Sequence, residues 1–376
     1  MNKRLLVTST DLMMVQFLVP HIIHLSENGY DVEIACSDVG GRMDEIHQKL
    51  DTYVKKIHVV RLVRSPIHPI NFKGYGDMKK VIDGGNYDII WTNEPVMGVV
   101  TRLAAQQARK RGTKILYMVH GFHFYDGAPK LNWVIYYPIE RLMASKTDMI
   151  VTVNREDYKR AQSMNVNRVE YIHGIGINTD RLRPSETRKD IREELGLEKD
   201  DFIVLSVGEL NKNKNQKTII RAISLLKDKK VHYILCGKGD QLENLQKLTK
   251  ELQLEKQVHF LGYRKDVVDI CSQADVFVMP SKREGLPVAS LEAMYCGLPL
   301  VTSNIRGLVD VMEDGVTGYL CEPEDVEKFA MSISRLKSDI QSCKKFGLYN
   351  QSKVESFCIT QTKKRVYELL NELCGE

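Results

Sequence analysis

The sequence predicts an α/β chain built as two parallel-sheet domains, and three observations lead there. Short β-branched runs alternate with stretches of helical spacing along the whole chain. The runs are almost continuously apolar, the pattern of strands covered by helices on both faces. The alternation starts afresh after the polar segment 181–189, and 376 residues are more than one hydrophobic core usually holds. With 43% hydrophobic and 27% charged residues and a net charge of only +5, the composition excludes a disordered chain. No apolar stretch approaches the roughly 18 residues of a membrane span. The opening Met1-Asn2-Lys3-Arg4 is basic, but the apolar Leu5-Leu6-Val7 after it is too short for a signal peptide.

Taken in order, the first half gives strands at 4–9, 31–37, 57–62, 88–92, 114–119, 149–153 and 169–172. Helical spacing falls between them at 17–28, closed by Gly29 as a C-terminal cap, and at 71–82, 96–110 and 155–164. After Pro184 strands follow at 202–207, 231–236, 258–261, 276–279 and 300–302. The two series predict two Rossmann-like domains, 1–184 and 185–357. Open parallel sheets bind ligands beyond the carboxyl ends of their strands, so the residues just after each strand are the informative ones.

Eight cysteines lie far apart with no Cys-x-x-Cys pair, which fits neither a zinc site nor a disulfide framework. Several sit in apolar runs, such as Cys236, and read as buried, reduced thiols of a cytoplasmic protein. Residues 1–184 carry 25 Lys and Arg against 19 Asp and Glu, and the rest carries 29 against 30. A basic first half suits an anionic membrane surface, a phosphorylated substrate or nucleic acid. Nucleic acid is the weakest of these, because the basic residues are scattered and no recognised motif is present.

The strand at 276–279 runs into Pro280-Ser281-Lys282-Arg283-Glu284-Gly285-Leu286-Pro287 and then a helical stretch ending before Gly297 and Pro299. Pro287 suits the first position of that helix. Its N-terminus then favours an anion such as a diphosphate, and Gly285 lets the backbone approach it. Glu284 precedes the helix and Glu292 lies eight residues on, two carboxylates able to accept hydrogen bonds from sugar or ribose hydroxyls. The plainer alternative is a pair of solvated surface charges.

Pro280-Ser281, Glu284-Gly285, Pro287, Glu292-Ala293-Met294 and Cys296-Gly297-Leu298-Pro299 resemble the signature of family 4 retaining glycosyltransferases of the GT-B fold. His120-Gly121-Phe122-His123-Phe124-Tyr125, Tyr136-Tyr137-Pro138-Ile139-Glu140 and Gly208-Glu209-Leu210 resemble a branch that assembles capsule, exopolysaccharide and lipid-linked oligosaccharide. The resemblance implies parallel sheets facing across a cleft, with a C-terminal helix within 358–376 packing back on the first domain. It implies that Glu284 contacts the donor sugar, Glu292 the ribose, and the backbone of Gly285, Leu286 and Pro287 the phosphates. Gly208 opens a second phosphate loop in which Lys214 matches the family's diphosphate lysine. Where the family has an arginine, this chain has Glu209. Either Lys212 supplies the missing charge, or Glu209 turns to another group. Arg264, after Gly262-Tyr263, falls beside the nucleotide base.

His120 follows the strand at 114–119, and the resemblance puts it near donor sugar and acceptor, from the opposite domain. Thr10, Asp11 and His123 join it on the acceptor side, although Thr8-Ser9-Thr10-Asp11 departs from the family's usual glycine pair. The spacing of His120, His123 and Asp126 would allow a metal. The family generally works without one, and no Asp-x-Asp pair is present, so neither metal nor cofactor is expected.

The implied reaction moves a sugar, an N-acetylhexosamine or galactose, from a UDP-sugar to a polyprenyl-diphosphate-linked or growing polysaccharide. His120, Glu284 and Lys214 are its implied catalytic groups. The segment 130–145 holds Trp133, Tyr136 and Tyr137 beside Lys130 and Arg141, and either seats in a membrane interface or packs as a core helix. The expectation is peripheral contact with the anionic inner face of the cell membrane and no nucleic acid. A nucleotide-sugar epimerase, or a non-catalytic partner of another transferase, stand as the alternatives.

Overall fold

The computed structural model describes residues 2–10, 12–39, 43–179, 182–285 and 287–375. The chain forms two compact units: residues 1–176 with 359–376, and residues 177–358.

Unit 1 runs β1 (Lys3–Ser9), α1 (Leu12–Glu27), β2 (Tyr30–Cys36), α2 (Met43–Leu50), β3 (Val54–Val59), α3 (Ile70–Gly85), β4 (Ile89–Asn93), α4 (Pro95–Ala104), α5 (Gln106–Lys110), β5 (Lys114–Val119), α6 (Lys130–Ala144), β6 (Met149–Thr152), α7 (Arg155–Gln162) and β7 (Arg168–Tyr171). The seven strands pair in parallel in the order β3-β2-β1-β4-β5-β6-β7. Their direction of progress reverses between β1 and β4, the point where such sheets open a crevice. On β1, Leu5 and Val7 enter one core layer while Leu6 enters the other, so both faces of the strand are covered.

Unit 2 runs α8 (Ile191–Leu195), β8 (Phe202–Val207), α9 (Lys217–Leu226), β9 (Val231–Cys236), α10 (Leu242–Glu251), β10 (Val258–Gly262), α11 (Val267–Cys271), β11 (Val276–Met279), α12 (Val288–Tyr295), β12 (Leu300–Ser303), α13 (Leu308–Val311), β13 (Gly318–Cys321), α14 (Val326–Ser338) and α15 (Ile340–Val354). Its six parallel strands follow the order β10-β9-β8-β11-β12-β13, reversing between β8 and β11. The last helix, α16 (Ile359–Leu373), belongs to unit 1, where Val366, Leu369 and Leu370 join the core around β1 and α1.

Several expectations shift. The division between units falls at residues 176 and 177, ahead of the expected 184, because Ile177 and Leu182 already pack in the core of unit 2. The single helix expected at 96–110 is two, broken at Ala105, whose φ of −81° and ψ of 4° leave the α-helical region. The strand expected at 57–62 lies three residues earlier, since Val60 and Leu62 are buried in coil beyond it. Pro287 is the N-cap of α12 rather than its first residue. All eight cysteines are free, but only Cys36, Cys236, Cys271 and Cys321 are buried. Among the described residues, no helix is long and apolar enough to cross a membrane.

Candidate functional site

In unit 2 the loops after β8 and β11 flank the strand reversal, and asparagines bind them together. The amide of Asn213 donates to Arg283 O, and Lys282 N donates back to Asn213 O at 2.8 Å. Asn215 donates to Pro280 O, and Asn211 Oδ1 accepts from Lys214 N. This lattice brings Lys214 Nζ to 2.8 Å from Glu284 Oε1, a largely buried ion pair between two residues expected to serve the donor. The asparagines looked like turn residues in the sequence. Their alternation with lysines after a strand was the signal available.

Glycines let a second pair of loops pack against the first. A Cβ on Gly307 would lie 1.9 Å from Gly285 O, and φ at Gly307 is +82°. A Cβ on Gly237 would lie 1.8 Å from Gly208 O. Both positions require glycine for the close approach of two backbones.

Helix α12 begins beside this pair. Its first intrahelical bond runs from Ser290 N to Pro287 O, so the amides of Val288 and Ala289 lie ahead of the ladder at the positive end of the helix. Glu292, five residues into the helix, is half-buried, and burial alone raises its carboxyl above the usual range. No protein group is hydrogen-bonded to that carboxyl among the described residues. A carboxylate shielded from water without a protein donor is suited to ligand hydroxyls.

The other expected donor residues differ in their surroundings. Arg264 is held by Glu194 and Asp266, with Nη2 2.6 Å from Asp266 Oδ2, so its guanidinium is already occupied. Lys212 is exposed and borders a groove of about 420 Å³ with Lys217, Arg221 and Lys247, a lining that includes neither Lys214 nor Glu284. Glu209 is exposed. Gly208 sits against Lys214, whose Cε would be 3.5 Å from an added Cβ. Leu286 lies outside the described residues.

In unit 1 the equivalent reversal brings together the ends of β1, β4 and β5. His120 Nε2 lies 3.0 Å from Asn93 Oδ1, and burial, with His21 nearby, pushes its imidazole down to about 4. His120 is therefore neutral at physiological pH. Ser9 Oγ and Thr10 N both donate to Glu94 Oε2, at 2.7 and 2.8 Å. Glu94 has φ 63° and ψ 155°, a region nearly restricted to glycine. Sequence reasoning missed Asn93 and Glu94, which flank the expected Thr10 and His120. Asp11 lies outside the described residues. His123 stacks on Tyr136 with ring centroids 4.7 Å apart.

The Tyr-Pro-Ile-Glu run is structural at its glutamate. Glu140 accepts from Arg102 Nη2 at 2.8 Å and from the Tyr117 hydroxyl at 3.0 Å, all buried. Of metal-ligating clusters among the described residues, Glu198, Asp200 and Asp201 stand close enough for one ion, in the turn that leads into β8, at the end of that strand opposite its loop; Glu198 and Asp200 are exposed and Asp201 is buried.

Known proteins resemble both halves of the chain. The family described as Glycosyl transferases group 1 matches residues 187–353, and Glycosyltransferase Family 4 matches residues 20–181. A protein of Bacillus subtilis (strain 168) that bears the name "Putative glycosyltransferase EpsD" is 38% identical over 354 residues, covering 92% of this chain and 91% of that protein. The Escherichia coli UDP-Gal:alpha-D-GlcNAc-diphosphoundecaprenol alpha-1,3-galactosyltransferase is 27% identical over 325 residues, covering 84% and 82%. The Campylobacter jejuni N,N'-diacetylbacillosaminyl-diphospho-undecaprenol alpha-1,3-N-acetylgalactosaminyltransferase is 28% identical over 305 residues, covering 79% and 80%. Among solved structures, Anabaena HepE in complex with UDP and glucose superimposes with a TM-score of 0.80 at 19% identity, covering 99% of this chain and 100% of that one. At that identity the likeness shows the fold.

Proposed function

The chain belongs to glycosyltransferase family 4, and from that membership we propose that it transfers a sugar, with retention, from a UDP-sugar to a polyprenyl-diphosphate-linked saccharide. The observation that supports this reading is the Lys214–Glu284 ion pair at the strand reversal of unit 2, in the loop that leads into α12, the helix that carries Glu292. A cation, two carboxylates and a helix dipole carried by these two loops and α12 are the chemical complement of a diphosphate flanked by hydroxylated rings. The names of the Escherichia coli and Campylobacter jejuni relatives both carry a diphosphoundecaprenol acceptor, which supports the acceptor class. An N-acetylhexosamine or galactose is the proposed donor sugar.

In this reading the bond between the anomeric carbon and the UDP oxygen breaks, and its electron pair leaves with the diphosphate. Lys214 and the amides of Val288 and Ala289 offset that charge, as preorganised donors at a leaving group do. Glu284 orients the sugar and Glu292 the ribose. The acceptor hydroxyl attacks the same face, and its proton passes to a diphosphate oxygen. Products are UDP and the extended glycan. In unit 1, neutral His120, Thr10, Asp11 and His123 are assigned to acceptor and sugar hydroxyls. No metal is required, since the positive field comes from the protein. The enzyme works as a peripheral protein at the cytoplasmic face of the membrane, where its acceptor resides.

The test is transfer from individual UDP-sugars to a short-prenyl diphosphate N-acetylhexosamine. Acceptor-dependent UDP release with an α-linked product is expected. Isomerised UDP-sugar without acceptor indicates an epimerase, and absence of UDP binding by calorimetry indicates a non-catalytic partner; either result overturns the proposal.

A further inference from the structure

Helix α6 has two faces of different kinds. One is built into unit 1: Trp133 and Tyr137 pack against Phe124, with centroids 5.8 and 5.2 Å away, and Met143 and Ala144 are buried beside them. The aromatic residues that made this segment resemble a membrane interface therefore face inward. The other face is the unexpected one. Leu131, Val134 and Leu142 are 66%, 71% and 63% exposed, and Ile135, Pro138 and Ile139 complete a continuous stripe at helical spacing. Six neighbouring exposed apolar side chains on fifteen helical residues form a patch, unlike the single exposed hydrophobics normal for a protein surface.

Charge says what covers it. Lys130 and Arg141 are exposed at the border of the stripe, and neither has an ion-pair partner among the described residues. The helix's only carboxylate, Glu140, is buried against Arg102. The outer face thus combines apolar residues with cations and offers no exposed acidic group. A second exposed apolar pair, Ile67 and Phe72, stands at the start of α3 beside exposed Lys73. Helices α3, α4 and α6 cover one face of the seven-stranded sheet, because Ile115 and Tyr117 lie two residues apart on β5, share a face, and pack under the layers that hold these helices. Both α3 and α6 start from the carboxyl edge of that sheet, after β3 and β5.

We infer that the outer face of α6 is the surface by which unit 1 seats on an anionic lipid bilayer, apolar residues in the headgroup boundary and Lys130 and Arg141 on anionic headgroups. The inference rests on the proposed lipid-linked acceptor and deepens it: the binding face lies on the unit assigned to that acceptor.

Flotation of the full chain with phosphatidylcholine vesicles, with and without phosphatidylglycerol, tests it. Wild type is expected to float with the anionic vesicles, and high salt to weaken binding. The triple variant Leu131→Ser, Val134→Ser, Leu142→Ser should lose about tenfold or more in partitioning. The variant Lys130→Gln, Arg141→Gln should lose the preference for phosphatidylglycerol. Both should keep wild-type UDP binding and transfer to a water-soluble short-prenyl acceptor, which also shows that they fold. Equal flotation of the triple variant and wild type overturns the inference. So does a wild-type dimer that the triple variant converts to monomer, since the face would then be an interface between copies. Failure of wild type to transfer to the soluble acceptor counts against the proposed function alone, because flotation is read separately.

Discussion

Lys214 Nζ donates to Glu284 Oε1 at 2.8 Å across the two loops that follow β8 and β11. The pair keeps each charge compensated, and under the proposed function a donor diphosphate competes with Glu284 for Lys214. Removing one partner leaves the other partly buried and unpaired.

The two residues should therefore behave as a unit. Lys214→Ala and Glu284→Ala are each expected to lower kcat/KM by about 10²–10³, the range for removing one leaving-group donor. The double variant should be little worse than the poorer single variant, as for residues in direct contact. Initial rates of transfer give the cycle, and strict additivity would show that the pair is not part of the donor site.

Gly307 supports the Glu284–Gly285 loop by close backbone approach, so Gly307→Ala should displace it. Gly315→Ala is the control, with φ +74° but nothing within 4 Å of its Cβ. Both substitutions carry the cost of a side chain at positive φ, about 1 kcal/mol. Only Gly307→Ala should also weaken UDP binding by calorimetry.

Glu94 holds the β1 loop at the expense of backbone strain. Glu94→Gly removes the hydrogen bonds from Ser9 and Thr10 but relieves the strain. Glu94→Ala removes the bonds and keeps it. The alanine variant should be the less stable by about 1–3 kcal/mol in urea unfolding. Equal stability of the two would contradict the strained geometry.

His21 is 1% exposed and its Nε2 donates to Ile175 O; burial outweighs that bond and pushes the imidazole down to about 4, which favours a neutral ring in the folded chain. The unfolded imidazole titrates near 6.5 and takes up its proton first on acidification. Stability contributed by keeping this ring neutral is therefore present above 6.5 and is lost as pH falls towards 4. Between pH 7 and 5, His21→Gln should lose about 2 kcal/mol less stability than wild type, measured by urea unfolding.

Glu140→Ala leaves the buried Arg102 guanidinium without its carboxylate and should destabilise the chain by about 3–5 kcal/mol. Replacing Arg102 by Met in the same chain should recover much of that loss, again by urea unfolding. A conserved cost in the double variant would mean that Glu140 acts otherwise than through Arg102.

Strands such as Lys114–Val119, Phe202–Val207 and Val231–Cys236 were legible in the sequence because their apolar run ends where their pairing ends. β13, Gly318–Cys321, was passed over: it is four residues long at the edge of the sheet, and half of it is only partly buried. The placement of Glu284 before α12 and of Glu292 within it was readable because both frame a single loop and helix. The ion pair of Glu284 was not, since Lys214 lies 70 residues away and meets it only once β8 and β11 pair. Arg264 shows the converse. Its position after β10 suggested a ligand, but two carboxylates from α8 and the following turn reach it first. On α6, helical spacing marked the helix while leaving open which face packs inward, which depends on the aromatic cluster around Phe124.

Unit 1 is interrupted in the chain by the whole of unit 2. A ribosome therefore synthesises every residue of unit 2 before it makes α16, whose Val366, Leu369 and Leu370 join the core that holds α1. During translation the nascent amino-terminal half waits with Ile22 and Leu25 uncovered, while the later half can already fold. Chaperone demand should accordingly concentrate on the part made first, and a stop codon placed just before Ile359 should yield an aggregating polypeptide whose second half is nonetheless resistant to protease.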